Sequence, residues 1–408
     1  MRKCGLLGER LSHSFSPLIH AELGDYEYRL YEKKPDELET FLRFGDFDGL
    51  NVTIPYKKAV APFCGSLSET ARRIGSVNTI IRLADGSLHG DNTDYFGFAY
   101  LLKQTGVNPA AGKIAVLGSG GSSLTVQAVL QDGLAREVVV VSRHGADNYE
   151  NISQHRDAVM LINTTPVGMY PNNGVSPIAN LGVFNKCQAV IDLIYNPART
   201  ELLLQAEELG ILSANGLIML TAQAKRSAEL FTGMPIPDRQ IETITEKIAR
   251  LTCNIVLIGM PGCGKTSIGS ALANKMRREF ADTDDWVANT AGKPIPAIFA
   301  EDGEGAFRNL ESRALQALCK SSGLVIATGG GVIKRPENRR IIRQNGIIVF
   351  LNRDIDQLPV SGRPLSEMSG VGALAAERLP VYKQWCDYAL SVCGVEQTAA
   401  DICEMLWI

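Results

Sequence analysis

Residues 259 to 266 read GMPGCGKT, a complete G-x-x-x-x-G-K-[ST] pattern between the apolar run NIVLIG and a helix-forming stretch. Gly259, Gly262 and Gly264 would let the backbone curl so that successive N–H groups point at phosphate oxygens. Lys265 would reach the β and γ oxygens, and Thr266 would offer its hydroxyl to Mg2+. The expected ligand is therefore ATP with Mg2+, and Cys263 inside the loop reads as a small filler. The stretch behind the loop is short for a motor or assembly ATPase and holds no NKxD guanine-reading motif, which favours a small-molecule kinase. The later run LVIATGGG lacks an acidic end, so the carboxylates near the metal are expected from FADTDD, at Asp282 and Asp284.

A second glycine-rich turn lies upstream, where KIAVLG enters GSGGSS at 118–123 ahead of a helical stretch. Gly118, Gly120, Gly121 and Ser122 would let the backbone approach a pyrophosphate, held by the free N–H groups of the helix start. The next apolar run ends where an NAD-binding fold places an Asp or Glu for the ribose 2′-hydroxyl. Here the chain reads Ser142-Arg143-His144. A guanidinium can pair with a 2′-phosphate that a carboxylate would repel, so the expected cofactor is NADP(H) rather than NAD.

Four polar clusters precede that turn: SHSFSP at 12–17, NVTIPYK at 51–57, GSVNT at 75–79 and GDNTD at 90–94. They bring hydroxyls, amides, Lys57 and Asp94, donors and acceptors suited to a polyhydroxylated acid.

These groups need a frame. Apolar β-branched runs such as EVVVVS, AVIDLIY and IIVFLN alternate with helix-like stretches such as TVQAVLQDGL, which reads as parallel-sheet α/β architecture. A chain of 408 residues is long enough for two or three domains. A Pro-rich stretch, TGMPIPDRQ, gives way to a polar helix before a strand begins at about Asn254. The expected division is a substrate domain from 1–96 and 216–240, a Rossmann-like NADP domain at 97–215, a linker at 241–252, and a P-loop domain of nucleoside-monophosphate-kinase type at 253–408.

Hydrophobic residues at 45% and charged residues at 21% give the balance of a soluble globular protein. The net charge of -3 supplies no electrostatic reason to bind nucleic acid or an anionic membrane. The nine cysteines form no CxxC pair and no zinc-ligand cluster, as in reduced thiols of a cytoplasmic protein. Glu9 and Arg10 interrupt any signal-peptide core, and no apolar run approaches the roughly 18 to 20 residues of a spanning helix.

The polar clusters and their order resemble shikimate dehydrogenase over nearly all of residues 3 to 235, including NTTPVGM at 163–169, DLIYNPARTELL at 192–203 and GLIMLTAQA at 216–224. The resemblance implies that Ser14 and Ser16 hold the substrate carboxylate, that Thr53, Asn78 and Gln223 hold its ring hydroxyls, and that Tyr195 is a further contact. Lys57 matches the catalytic lysine and Asp94 its acidic partner. Hydride transfer to a ketone builds negative charge on the carbonyl oxygen, which a nearby ammonium stabilises and can protonate. Which of the two moves the proton stays open. The family usually carries Asn-Arg-Thr where this chain has Ser142-Arg143-His144, and the short stretch 144–158 predicts a reduced wall on the adenine side.

Residues from about 253 to 395 resemble shikimate kinase, with FADTD, IFAEDGEGAFRNLES, ATGGG, GRPL and ERLPVYKQWCDYA in the family's order. That resemblance implies Asp282 near Mg2+ through water, and Asp284 orienting or deprotonating the acceptor hydroxyl. It gives Arg308 and Arg378 the substrate carboxylate, and Gly329, Gly330 and Gly331 backbone contacts. Arg363 would approach the transferring phosphate from a lid, although the segment 353–375 is short and lacks some of the usual basic neighbours.

Together the resemblances predict reduction of 3-dehydroshikimate to shikimate with NADPH, then phosphorylation of shikimate at its 3-hydroxyl. Small-molecule substrates are the expected partners, without nucleic acid or membrane, and a homo-oligomer is left open. The rivals are a dehydrogenase that accepts quinate or NAD, and a sensor or scaffold with a dead catalytic half. Intact Lys57, Asp94, Lys265 and Asp284 favour the enzyme.

Overall fold

Runs such as IAVL, MLIN, AVID and NIVLI become strands whose side chains are buried on both faces, as the absence of polar alternation within them requires, while EVVVV forms a strand that is only partly buried. In a computed structural model the described residues are 1–11, 14–358 and 371–407. They form two compact units: Met1–Met169, Val175–Tyr195 and Leu202–Ile248 in the first, and Tyr170–Gly174, Asn196–Glu201 and Ala249–Ile408 in the second.

The first unit holds two sheets. One comprises β1 (Lys3–Gly8), β2 (Glu27–Glu32), β3 (Gly49–Val52), β4 (Ser66–Leu67), β5 (Thr79–Arg82) and β6 (Leu88–Asp91), in the order β2-β1-β3-β5-β6-β4. It is mixed rather than parallel, because β5 runs antiparallel to both β3 and β6. Five residues join β5 to β6, too few for a crossover helix. The chain turns back instead through Gly86 at φ 84°, with Asp85 Oδ1 accepting from Ser87 N at 2.9 Å.

The other sheet comprises β7 (Lys113–Leu117), β8 (Glu137–Val141), β9 (Met160–Asn163), β10 (Ala189–Asp192) and β11 (Leu212–Asn215), in the order β11-β10-β9-β7-β8. Every pairing is parallel. The strand order reverses beside β7, which opens a ligand crevice at that strand's C-terminal end. Helices Asp94–Thr105 and Leu217–Thr232 pack closely together. Gly97 permits this, since a Cβ there would lie 2.7 Å from the Met219 carbonyl oxygen and 3.0 Å from Gln223 Cβ.

The span 241–252, expected as a linker, forms most of helix Arg239–Thr252. Ile241, Ile244 and Ile248 recur at three- and four-residue spacing and so share one buried face, with Ile244 and Ile248 joining Cys4, Phe15 and Phe231 in a core cluster.

The second unit carries β12 (Asn254–Ile258), β13 (Phe280–Asp282), β14 (Val325–Ala327), β15 (Gly346–Asn352) and β16 (Tyr388–Ser391), in the all-parallel order β13-β14-β12-β15-β16. The order reverses at β12, the strand that feeds the glycine-rich phosphate loop. All five residues of β12 are buried, so the loop springs from the rigid centre of the sheet. Among the described residues no helix is long and apolar enough to cross a membrane.

Candidate active sites

In the first unit, the loop after β3 is sewn to the GSVNT segment through its backbone. Val52 N donates to the Asn78 carbonyl at 2.7 Å, and Val77 N to the Lys57 carbonyl at 2.8 Å. Asp94 opens helix Asp94–Thr105, where a carboxylate suits the helix N-terminus. These two constraints bring Lys57 Nζ to 2.6 Å from Asp94 Oδ2, with the side chains only 18% and 9% exposed. An ion pair this sheltered is screened less by solvent than a surface pair and holds the ammonium in one place.

Amides and hydroxyls surround the pair. Asn78 Nδ2 donates to Thr93 Oγ1 at 3.1 Å and to Gln223 Oε1 at 3.4 Å, while Thr93 N donates to Asn78 Oδ1 at 2.7 Å. Asn51 Nδ2 reaches Thr79 Oγ1 at 3.4 Å, and Tyr28 Oη donates to Asn51 Oδ1 at 2.8 Å. Ser14 and Ser16 stand with their hydroxyls 3.1 Å apart, and the Phe15 and Tyr195 ring centroids lie 5.2 Å apart. Burial raises the Tyr195 hydroxyl above its usual pKa, against a smaller opposing pull from Ser14. Thr53 is half-buried at the mouth of the same loop. Thr93 and Asn51 lie inside clusters quoted from the sequence yet were not singled out, and Tyr28 carries no motif at all.

At the end of β7, Gly118 adopts φ 104°, and a Cβ there would come within 2.8 Å of Thr164 Oγ1. Gly120 caps helix Gly121–Asp132, and a Cβ on it would meet nothing within 4 Å, so the start of that helix is open to a ligand. Ser122 is half-buried in the first turn. Arg143 is exposed just beyond β8, close enough to Tyr149 to influence its hydroxyl. The connection from β8 to β9 contains a single 3-10 turn, Ile152–His155, in place of a crossover helix. These features fit a dinucleotide: an open helix N-terminus for its pyrophosphate and an exposed guanidinium for a 2′-phosphate.

In the second unit, Gly259, Gly262 and Gly264 take φ values of 150°, 80° and 104°, conformations that favour glycine. Helix Lys265–Met276 follows, and Lys265 Nζ donates to the carbonyls of Gly259 at 2.9 Å and Met260 at 3.0 Å. Thr266 Oγ1 donates to Asp282 Oδ2 at 2.7 Å, while Asp282 Oδ1 accepts from Asp284 N at 2.9 Å. A hydroxyl beside one carboxylate is an oxygen donor set that suits Mg2+ shared with phosphates. Among the described residues no group of three or more His, Cys, Asp or Glu forms a metal cage.

A cavity of 570 Å3 joins this loop to Asp284, Arg308, Glu311, Gly329, Gly330, Gly331, Arg353 and Arg378. Arg308 Nη1 donates to Glu311 Oε2 at 2.8 Å, and Arg378 Nη1 to the Gly330 carbonyl at 2.9 Å. Five polar atoms of these residues are buried without a hydrogen-bond partner among the described residues: Asp284 Oδ1, Glu311 Oε1, Arg353 Nε, and Arg378 Nε and Nη2. Unpaired buried polar atoms are costly, so their convergence marks a surface shaped for a polar ligand. A Cβ on Gly329 would sit 2.7 Å from Glu311 Oε1 and 2.9 Å from Asp284 Oδ1, and one on Gly331 would collide with the Arg308 guanidinium. Burial, reinforced by the Asp282 charge, pushes Asp284 up to about 6 against the pull of Lys265 and Arg308. Glu311, which sequence reasoning passed over, is raised by burial too. Arg363 lies outside the described residues.

Residues 6–80 match the family model for the shikimate dehydrogenase substrate binding domain, and residues 261–402 match that for shikimate kinase. Over 269 residues the chain is 34% identical to a shikimate dehydrogenase (NADP(+)) of Clostridium perfringens, covering 61% of this chain and 98% of that protein. The chain belongs to the shikimate dehydrogenase family. Among solved dehydrogenases, a chorismate mutase/shikimate 5-dehydrogenase fusion protein from Clostridium acetobutylicum is 35% identical with a TM-score of 0.56, over 60% of this chain and 96% of that one. Shikimate 5-dehydrogenase from Thermus thermophilus, in complex with NADP(H) and shikimate, is 29% identical with a TM-score of 0.55, over 60% and 99%. The dehydrogenase is followed in this chain by a shikimate kinase domain, so one polypeptide carries an NADP-linked oxidoreductase and an ATP-dependent phosphotransferase.

Proposed function

We propose that the two sites act on one cyclohexene acid in succession: Lys57 and Asp94 serve the reduction of 3-dehydroshikimate, and Asp284 with the phosphate loop serves the phosphorylation of the resulting shikimate at its 3-hydroxyl. The observation that carries this reading is the match between the two sites. Each sets ionised groups among sheltered donors and acceptors of the kind a hydroxylated carboxylic acid needs.

Bound NADPH would supply the hydride, and bound MgATP the phosphoryl group. Ser14, Ser16 and Tyr195 take the carboxylate end of the acid, and Thr53, Asn78 and Gln223 its hydroxyls. Lys57 faces the carbonyl oxygen as it gains negative charge and donates the proton that completes the alcohol, and Asp94 keeps that ammonium aimed. In the second unit Arg308 and Arg378 take the carboxylate, and the backbone of Gly329 to Gly331 fixes the ring. Asp284 accepts the proton of the attacking hydroxyl, with Lys265 and Arg363 on the transferring phosphoryl oxygens. Thr266 and Asp282 would hold Mg2+, which would offset the charge on the phosphoryl oxygens.

Shikimate should therefore be a substrate for both half-reactions, oxidised with NADP+ and phosphorylated with MgATP. If steady-state assays on the purified full chain find an acid used by one site and ignored by the other, the shared-intermediate reading is wrong. Arg143→Ala should raise the KM for NADPH roughly 10- to 100-fold while leaving that for NADH within about twofold, as expected for one charge-assisted phosphate contact. Equal loss with both nucleotides would remove Arg143 from the 2′-phosphate.

A further inference from the structure

β12 has β14 on one side and β15 on the other, so the crevice beyond its C-terminal end has two halves. Asp284, Arg308, Glu311, Arg378 and the three glycines after β14 furnish one half. The other is bounded by Arg353, one residue past the end of β15, which lines the cavity together with Gly262, Gly264 and Lys265. The end of β15 presses on the phosphate loop: a Cβ on Gly259 would lie 2.6 Å from the Leu351 carbonyl oxygen.

Arg353 differs from the other two cavity arginines. Arg308 is paired with Glu304 and Glu311, and Arg378 is tied to Gly330. Arg353 makes no ion pair or hydrogen bond through its side chain among the described residues, and its Nε is buried and unpartnered. A buried, unpaired donor on a half-buried arginine that lines a cavity calls for an acceptor from a ligand. The phosphate loop admits an anionic one, and the acid's carboxylate is already met by two arginines on the β14 side.

We infer that Arg353 binds the polyphosphate chain of the nucleoside triphosphate, gripping phosphoryl oxygens from the β15 side while the loop backbone and Lys265 hold them from below. The inference rests on the kinase reading of this unit. A planar guanidinium can engage two phosphoryl oxygens at once, which a lysine cannot, so the position should distinguish the two cations.

The test is isothermal titration of the full chain with ATP, ADP, adenosine and shikimate, using wild type, Arg353→Met and Arg353→Lys. Arg353→Met should weaken ATP and ADP roughly 10- to 100-fold, and Arg353→Lys should recover part of that loss. Adenosine and shikimate affinities should stay within about twofold of wild type, and an unchanged thermal unfolding profile of the full chain reports an intact fold. ATP affinity unchanged in Arg353→Met would overturn the assignment. So would an equal loss for adenosine, which would put Arg353 on the base, or a loss confined to shikimate, which would put it on the acid. Wild-type protein that binds no ATP would remove the kinase reading along with this one, whereas wild-type binding with an unaltered variant removes this one alone.

Discussion

Lys57→Ala should lower kcat for the reduction of 3-dehydroshikimate about 10^3-fold and leave shikimate phosphorylation at its wild-type rate. The size of the effect follows from what the lysine contributes. In the proposed reaction it stabilises developing charge on the carbonyl oxygen and supplies a proton, and each contribution typically carries two or more orders of magnitude in rate. Lys57 is held 2.6 Å from Asp94 in a sheltered site, where its ammonium is the one the carboxylate aims. Asp94→Asn should cost less, about 10^2-fold, because the lysine remains but loses the partner that aims it. Stopped-flow loss of NADPH absorbance checks both variants. Near-wild-type reduction by Lys57→Ala would show that the charge is met elsewhere.

Asp284→Asn should abolish most phosphoryl transfer, about 10^3-fold in kcat, and at the same time make the unliganded protein more stable at neutral pH. The two effects share a cause. Burial holds the Asp284 carboxyl at about 6, above its ordinary value of 3.8, so the folded protein binds that proton more tightly than the unfolded chain does. Stability from this group is fully present below about pH 4 and is lost as pH rises through about 6. Above that the ionised side chain costs roughly 3 kcal/mol, about two pKa units. An asparagine carries no charge and escapes the cost. Urea unfolding at pH 7.5 should therefore show a higher midpoint for Asp284→Asn, with the advantage shrinking toward pH 4. The same group sets the rate profile: wild-type kcat/KM for phosphorylation should fall about tenfold per unit below pH 6 as the base becomes protonated. A variant with no gain in midpoint at pH 7.5 would contradict the buried, ionised carboxylate.

How far these sites can be read from sequence depends on how local their signals are. Lys265 and Thr266 stand within one contiguous pattern whose backbone geometry follows from its glycines, and the positive φ values at 259, 262 and 264 bear that out. Lys57, Asp94 and Gln223 are far apart in the chain. Nothing in their local spacing brings Gln223 to Asn78 across 145 residues, and only the ordered resemblance to known dehydrogenases predicted their meeting. Glu311 was passed over because a glutamate three residues after Arg308 on a helix reads as an exposed ion pair, yet the fold buries it to 1% exposure. Tyr28 looks like any strand aromatic until β2 aims its hydroxyl at Asn51. The α/β class and the strands around both glycine-rich turns were legible from their apolar runs. The mixed first sheet was not, because strand direction depends on the connection length and turn residues between β5 and β6 rather than on the strands themselves. The helix over 239–252 was visible as polar, while the depth of its isoleucine face in the first unit's core was not.

The most direct measurement incubates the purified full chain with 3-dehydroshikimate, NADPH and MgATP and identifies the products by mass spectrometry. Wild type should yield shikimate 3-phosphate, Lys57→Ala should leave 3-dehydroshikimate unreduced, and Lys265→Ala should stop at shikimate. Formation of shikimate 3-phosphate by either variant at the wild-type rate, or no shikimate at any stage with well-folded wild type, would contradict two successive sites on one acid.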